Sequence, residues 1–182
     1  MADKKEIITY SLSDLKQLGQ LFNNEPESMD DDVVIFRDTD VEALREHRLF
    51  AYPCRIDAGI FIFCESGTMS VSVNLKTYQL TRDMALLVLT GNIIQVHYAD
   101  HFKVRGILVS SEFMYDMLIA SKLATPLRMQ LQADCCVSFT DEQIRELDEY
   151  YALFFRTLTC PEAHFRTEAF RCLIAAAIYR IG

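Results

Sequence analysis

The sequence has no cluster of lysine and arginine anywhere, and a phosphate-binding surface needs one. Its 18 Lys and Arg stand against 26 Asp and Glu, giving a formal net charge of −8 and a sequence pI of about 5.0. Nucleic-acid binding by this chain itself is therefore not expected. Residues 1–6 carry charges with no apolar stretch behind them and do not read as a secretory signal. The longest apolar run, residues 172–179, falls far short of the ~20 residues that span a bilayer. A cytoplasmic protein without a membrane partner is the expectation.

Catalytic signatures are missing too. HExxH, GxSxG, the P-loop and GxGxxG do not occur. The six cysteines (54, 64, 135, 136, 160 and 172) form no CxxC pair, and the neighbours 135 and 136 sit too close for an easy disulfide. They read as reduced core cysteines. Of the four histidines only His97 and His101 are close in sequence. They flank an expected turn between strands, where i, i+4 spacing does not share a metal as it would on a helix. The acidic run Asp30-Asp31-Asp32 lacks the spaced ligands and glycine of a calcium loop and reads as solvated. No carboxylate pair is placed for acid–base work.

What is present is a globular balance over 182 residues, 51% hydrophobic and 24% charged. A chain of that length buries roughly 70% of its unfolded surface without staples. Residues 1–50 are mixed: a β-like stretch (7–10), a helix over 14–22 capped by Ser11 or Ser13, a polar turn and a strand at 33–36. Residues 51–110 read as short strands (55–64, 69–75, 78–80, 84–89, 93–98 and 102–109) split by turn signals at 65–67, 74–76, 81–83, 90–92 and 99–101. Such a succession predicts an antiparallel sandwich or barrel. Residues 111–182 read as helices: one from Ser111 to about 122, a short helical or extended piece from Pro126, one from the Thr140-x-x-Gln143 capping box to about 158, and a last one from about 163. The division is thus 1–110 and 111–182, within one structural unit.

In the 141–158 helix Ile144, Leu147, Tyr151, Phe154 and Leu158 recur at spacings of 3, 4, 3 and 4. That stripe either packs on the strands and the last helix or pairs with a second copy of the chain. About two and a half heptads do not decide between them. The last helix is apolar nearly all round and must be covered on most sides.

The segment 52–67, Tyr-Pro-Cys-Arg-Ile-Asp-Ala-Gly-Ile-Phe-Ile-Phe-Cys-Glu-Ser-Gly, continued by Val-Asn-Leu-Lys-Thr-Tyr-Gln-Leu at 73–80, resembles the N-terminal cupin-like domain of AraC-family transcription regulators. The shared elements are Pro-x-Arg-Ile-Asp, Cys-x-x-Gly and Asn-Leu-Lys-x-Tyr-x-Leu, and the resemblance covers roughly residues 33–180. It implies an α+β fold, an antiparallel cupin-like β-barrel (double-stranded β-helix) followed by a C-terminal helical bundle. It also implies a bacterial regulatory domain in which the barrel binds a small effector and the helices form a homodimer. DNA would be contacted through a helix-turn-helix domain absent from this chain.

The metal-cupin motifs, laid on this sequence, keep only Gly67 and Gly91. The ligand positions become Cys54, Ile56, Ile60 and Ile94, so no metal, cofactor or catalytic residue is implied. The same alignment turns Cys54, Ile56, Ala58, Ile60, Ile62 and Cys64 inward and Arg55, Asp57, Phe61 and Phe63 outward. A one-residue slip would invert that. Cys54, Ile56, Ile60, Ile62, Ile94 and Val96 then line an apolar lumen, either a filled core or a pocket for a hydrophobic or amphipathic effector rather than a sugar. The dimer seam would be Ile144, Leu147, Tyr151, Phe154 and Leu158. The competing expectation is a small cupin-fold enzyme, an isomerase or dioxygenase.

Overall fold

β-Branched and aromatic residues crowd residues 54–110, and the chain answers with two very long strands. The computed structural model describes residues 7–19, 27–40, 51–160 and 165–181. Its elements run β1 (Ile8–Ser11), α1 (Leu12–Gly19), β2 (Glu27–Met29), β3 (Val33–Asp40), β4 (Cys54–Val73), β5 (Lys76–Thr81), β6 (Met84–Val88) and β7 (Ile93–Ser110). There follow α2 (Ser111–Ala120), α3 (Ala124–Ala133), β8 (Cys136–Ser138), α4 (Asp141–Thr159) and α5 (Arg166–Ile181). The eight strands among the described residues join one sheet of order β2-β3-β7-β4-β6-β8, with β1 and β5 also paired to β4. The chain is α+β: a curled, mainly antiparallel, cupin-like sheet followed by helices.

The curl is visible in the pairing register. From Ala58 opposite Ser110 to Val73 opposite Ile94, partner numbers fall as β4 advances, so the two strands run in opposite directions. Yet Cys54, at the other end of β4, also pairs with Ile94. The start of β7 is thus flanked by both ends of one strand, and the sheet rolls up on itself.

Two expected turns are bends instead. Residues 65–67 and 99–101 lie inside β4 and β7. Gly67 takes φ +81°, and a Cβ there would lie 2.3 Å from the His101 carbonyl oxygen. His101 itself has φ +45°. The two left-handed residues fold both strands over one another without breaking the pairing on either side. True reversals come at Asn74-Leu75, both with positive φ, as a two-residue hairpin between right-twisted strands requires.

Alternation along β4 gives the sheet two apolar faces. Cys54, Ile56, Ala58, Ile60 and Cys64 pack on the concave side with Val71, Leu80, Val88 and Phe102, and α1 adds Leu12 and Leu15. Phe63 packs on the convex side with the helices, and Phe61 lies against the same cluster. The helical third is not wholly helical, because β8 pairs with β6 and lengthens the sheet. The first helix begins at Leu12 rather than residue 14, with Ser11 and Asp14 exchanging cap hydrogen bonds. The α4 capping box forms as its residues predict.

Cysteine placement corrects one expectation. Cys54, Cys64 and Cys135 are buried and Cys136 is half-buried, but Cys160 and Cys172 are exposed. Burial pushes the thiols of Cys54, Cys64 and Cys136 up to about 11. A thiol raised above its ordinary 9.0 supports the fold fully below that pH, and the support drains away as pH climbs toward 11. A native-state thiol titration at neutral pH should therefore register two fast-reacting groups of the six, the remainder reacting only on denaturation.

Candidate functional site

Where the convex face of the sheet meets the helices the packing is incomplete. A cavity of about 130 Å³ lies between the layers. From the sheet it is bordered by Gly59, Phe61, Ala85, Leu87 and Ile107, and by Val137 and Phe139 at β8 and just after it. From the helices come Met114 and Met117 of α2, Leu127, Gln130 and Leu131 of α3, Leu147 and Phe154 of α4, and Ile174, Ala177 and Ile178 of α5. Four helices and the sheet thus share one void. Among the described residues Gln130 is the one polar side chain in that lining and its one exposed member, so the cavity meets solvent at α3.

Gly59 matters for its missing side chain. A Cβ there would overlap the Met114 Cε at 1.7 Å, so the methionine lies across the bare backbone at the cavity wall. Methionine is unbranched and re-packs easily, which makes this wall adaptable.

Around the cavity, polar ties bind the barrel to individual helices, and two of them come from the family-like motif. Asp57 Oδ1 accepts the Ser111 hydroxyl at 2.5 Å and the Thr90 hydroxyl at 3.0 Å, fixing the first residue of α2 to β4. Ser110 Oγ donates to Asp32 at 2.7 Å and also caps α2 through the Phe113 N–H. Lys76 Nζ donates to the Ala133 carbonyl at 2.9 Å and pairs with Asp134 at 3.6 Å, holding the end of α3. Asn74 locks the hairpin by accepting the Ile93 N–H and donating to Asn92. Arg55 reaches the Gly91 carbonyl.

A further tie is half-buried. The Arg105 side chain, 13% exposed, pairs with Asp148 of α4, sits 3.8 Å from the Glu65 carboxylate, and stacks over Phe63 and Tyr151. Its Nε lies in the protein with no acceptor in hydrogen-bond geometry. The Tyr151 hydroxyl donates to the carbonyls of Phe36 and Gly106, and burial pushes its ionisation well above the ordinary tyrosine range. Tyr151→Phe removes the one buried hydroxyl donor that these two carbonyls share and should cost about 1–3 kcal/mol, read by urea denaturation.

The residues expected to line a ligand lumen occupy the concave cluster. Cys54, Ile56, Ile60 and Ile94 are buried there, with Ile62 and Val96 half-buried against it. Of the six, Ile60 alone also borders the interlayer cavity. The α4 stripe is placed differently from a seam open to a second copy. Leu147, Tyr151, Phe154 and Leu158 are buried in the chain's own interlayer core, with Ile144 half-buried beside them. A contact between copies through these side chains would require that core to open.

His97 is exposed and bonded to Ser72, and His101 sits beside Asp100. His47 and His164 lie outside the described residues. Among the described residues no three His, Cys, Asp or Glu side chains come together, and no helix is long and apolar enough to cross a membrane. The cavity carries no sequence signature, because its walls come from nearly every element after β3.

No protein-family model matches the chain, and no curated protein matches it. Solved structures do. The cupin domain of Cnp3 from Schizosaccharomyces pombe aligns with TM-score 0.36 and 9% identity, over 52% of this chain and 72% of that one. ToxT from Vibrio cholerae aligns with TM-score 0.40 and 11% identity, over 82% of this chain but only 51% of ToxT. A conserved protein of unknown function, SPY1581 from Streptococcus pyogenes, aligns with TM-score 0.33 and 11% identity, over 47% of this chain and 71% of that one. At these identities the likenesses concern the course of the chain and assign no activity.

Proposed function

We propose that the chain is a regulatory, effector-binding and dimerisation domain of an AraC-type transcription regulator, a binding rather than a catalytic unit. The observation that carries this reading is the interlayer cavity, whose walls come from the sheet and from all four C-terminal helices. Whatever enters it contacts α2, α3, α4 and α5 at once. A ligand shifts an equilibrium only through differential contacts with two arrangements, and a site between two layers supplies them. The ties from Asp57, Lys76 and Arg105 carry any movement of the barrel to named helices. The Pro-x-Arg-Ile-Asp and Asn-Leu-Lys motifs support the family assignment, and their residues make two of those ties.

The partner copy meets exposed residues of the helical layer, since the α4 stripe is already covered. Tyr115 and Ile119 of α2 and Tyr179 of α5 are exposed, and the Tyr179 hydroxyl bonds to the Ser121 carbonyl beside them. Contact with DNA is left to a separate helix-turn-helix domain. Sedimentation equilibrium of the chain tests the assembly. A dimer is expected, and a strict monomer at high micromolar concentration would remove dimerisation from the account.

A further inference from the structure

We infer that the interlayer cavity, rather than the barrel lumen, takes a small, neutral, hydrophobic molecule of about one ring, with any polar end directed at Gln130. This deepens the regulatory reading and rests on it only for the consequence of binding. Size is the first argument. A void of about 130 Å³ is close to the ~150 Å³ engineered cavities that hold benzene, so it fits roughly six to eight non-hydrogen atoms.

Chemistry is the second. Among the described residues no charged side chain borders the void, and Gln130 at the mouth is the one polar side chain available. An ionised carboxylate or ammonium would lose its water there and gain no counter-charge. A neutral ring loses little water and finds Phe61, Phe139 and Phe154 to pack against. Water is a poor occupant, because it needs 2–4 polar partners. Adaptability is the third. Met114 lies over the bare backbone of Gly59, and Met117 is its neighbour one turn on, so larger or smaller rings re-seat the wall without opening the core.

The probes are toluene and phenol, with benzoate as the same ring bearing a charge. Thermal unfolding should move up by roughly 3–6 °C at ten times the Kd of toluene or phenol and stay put with benzoate. Intermolecular NMR contacts should connect the toluene protons to the methyls of Met114, Met117 and Ile178. Ala177→Leu, which fills the void from α5, should abolish both signals. If that variant folds poorly, Leu131→Phe at the half-exposed mouth serves instead. Contacts to Ile56 and Ile94 methyls would move the site to the lumen, and benzoate binding as tightly as toluene would defeat the charge argument. Absence of any shift with either neutral probe would overturn the inference. Binding that leaves the sedimenting mass and the helices unaltered would keep the site and discard the regulatory reading.

Discussion

Phe154→Ala will lower the free energy of unfolding by about 3–5 kcal/mol, which corresponds to a Tm fall of roughly 6–20 °C in a chain of this size. The side chain is 2% exposed. Its ring lies 5.3 Å from that of Phe170 and 6.5 Å from that of Tyr151, and stacks on Tyr150. Truncation removes the transfer energy of a buried aromatic and enlarges a cavity that is already under-filled, so collapse of the neighbours recovers little. Phe154→Glu adds an unpaired buried charge and should prevent cooperative folding. Urea denaturation of the alanine variant beside its sedimenting mass decides the point. A loss below about 1 kcal/mol with a halved mass would make Phe154 a subunit contact instead.

The second large effect belongs to Gly67→Ala, expected at about 2–5 kcal/mol. Left-handed backbone costs an ordinary residue about 1–2 kcal/mol. The added Cβ would also lie 2.3 Å from the His101 carbonyl oxygen and 2.5 Å from that of Asp100. Both obstacles are backbone, so no rotamer change relieves them, and one of the two long strands must shift. Gly91 provides the control. Its φ is +83°, yet a Cβ there meets nothing within 4 Å, so Gly91→Ala should show the conformational cost alone. Equal losses at the two sites in urea denaturation would mean the crossing of β4 over β7 is looser than described.

Much of the architecture is local and therefore readable from residues in order. Alternation over 54–64 separates Ile56 and Ile60 from Phe61 and Phe63, and the two sets do pack on opposite faces. Thr140 and Gln143 announce the start of α4 because each side chain accepts the other's backbone N–H. The bends in β4 and β7 are less legible. A left-handed glycine looks the same whether the chain reverses or merely folds over, and the distant partner at 100–101 decides which. The α4 stripe poses a similar problem, since a face meant for the sheet and one meant for a second copy carry the same periodicity.

The cavity could not be read at all. It is what remains when four helices, separated by loops, settle on one face of a sheet, and no spacing of residues encodes a void. The family-like motif implied a ligand-binding barrel with Arg55 and Asp57 turned outward, and its polar residues do turn outward. Asp57 and Lys76 hold α2 and α3 in place, and Arg55 and Asn74 secure the adjoining turns. Their contribution is to the join between the layers.

That join is the centre of the account, and amide hydrogen exchange with and without toluene tests it most directly. At ten times the Kd, amides of 114–118 in α2 and 174–178 in α5 should exchange roughly tenfold more slowly, while the exposed hairpin at 74–77 keeps its rate. Slowing confined to β4–β7 with the helices unchanged, or no slowing anywhere, would contradict the claim that one cavity ties barrel and helices together.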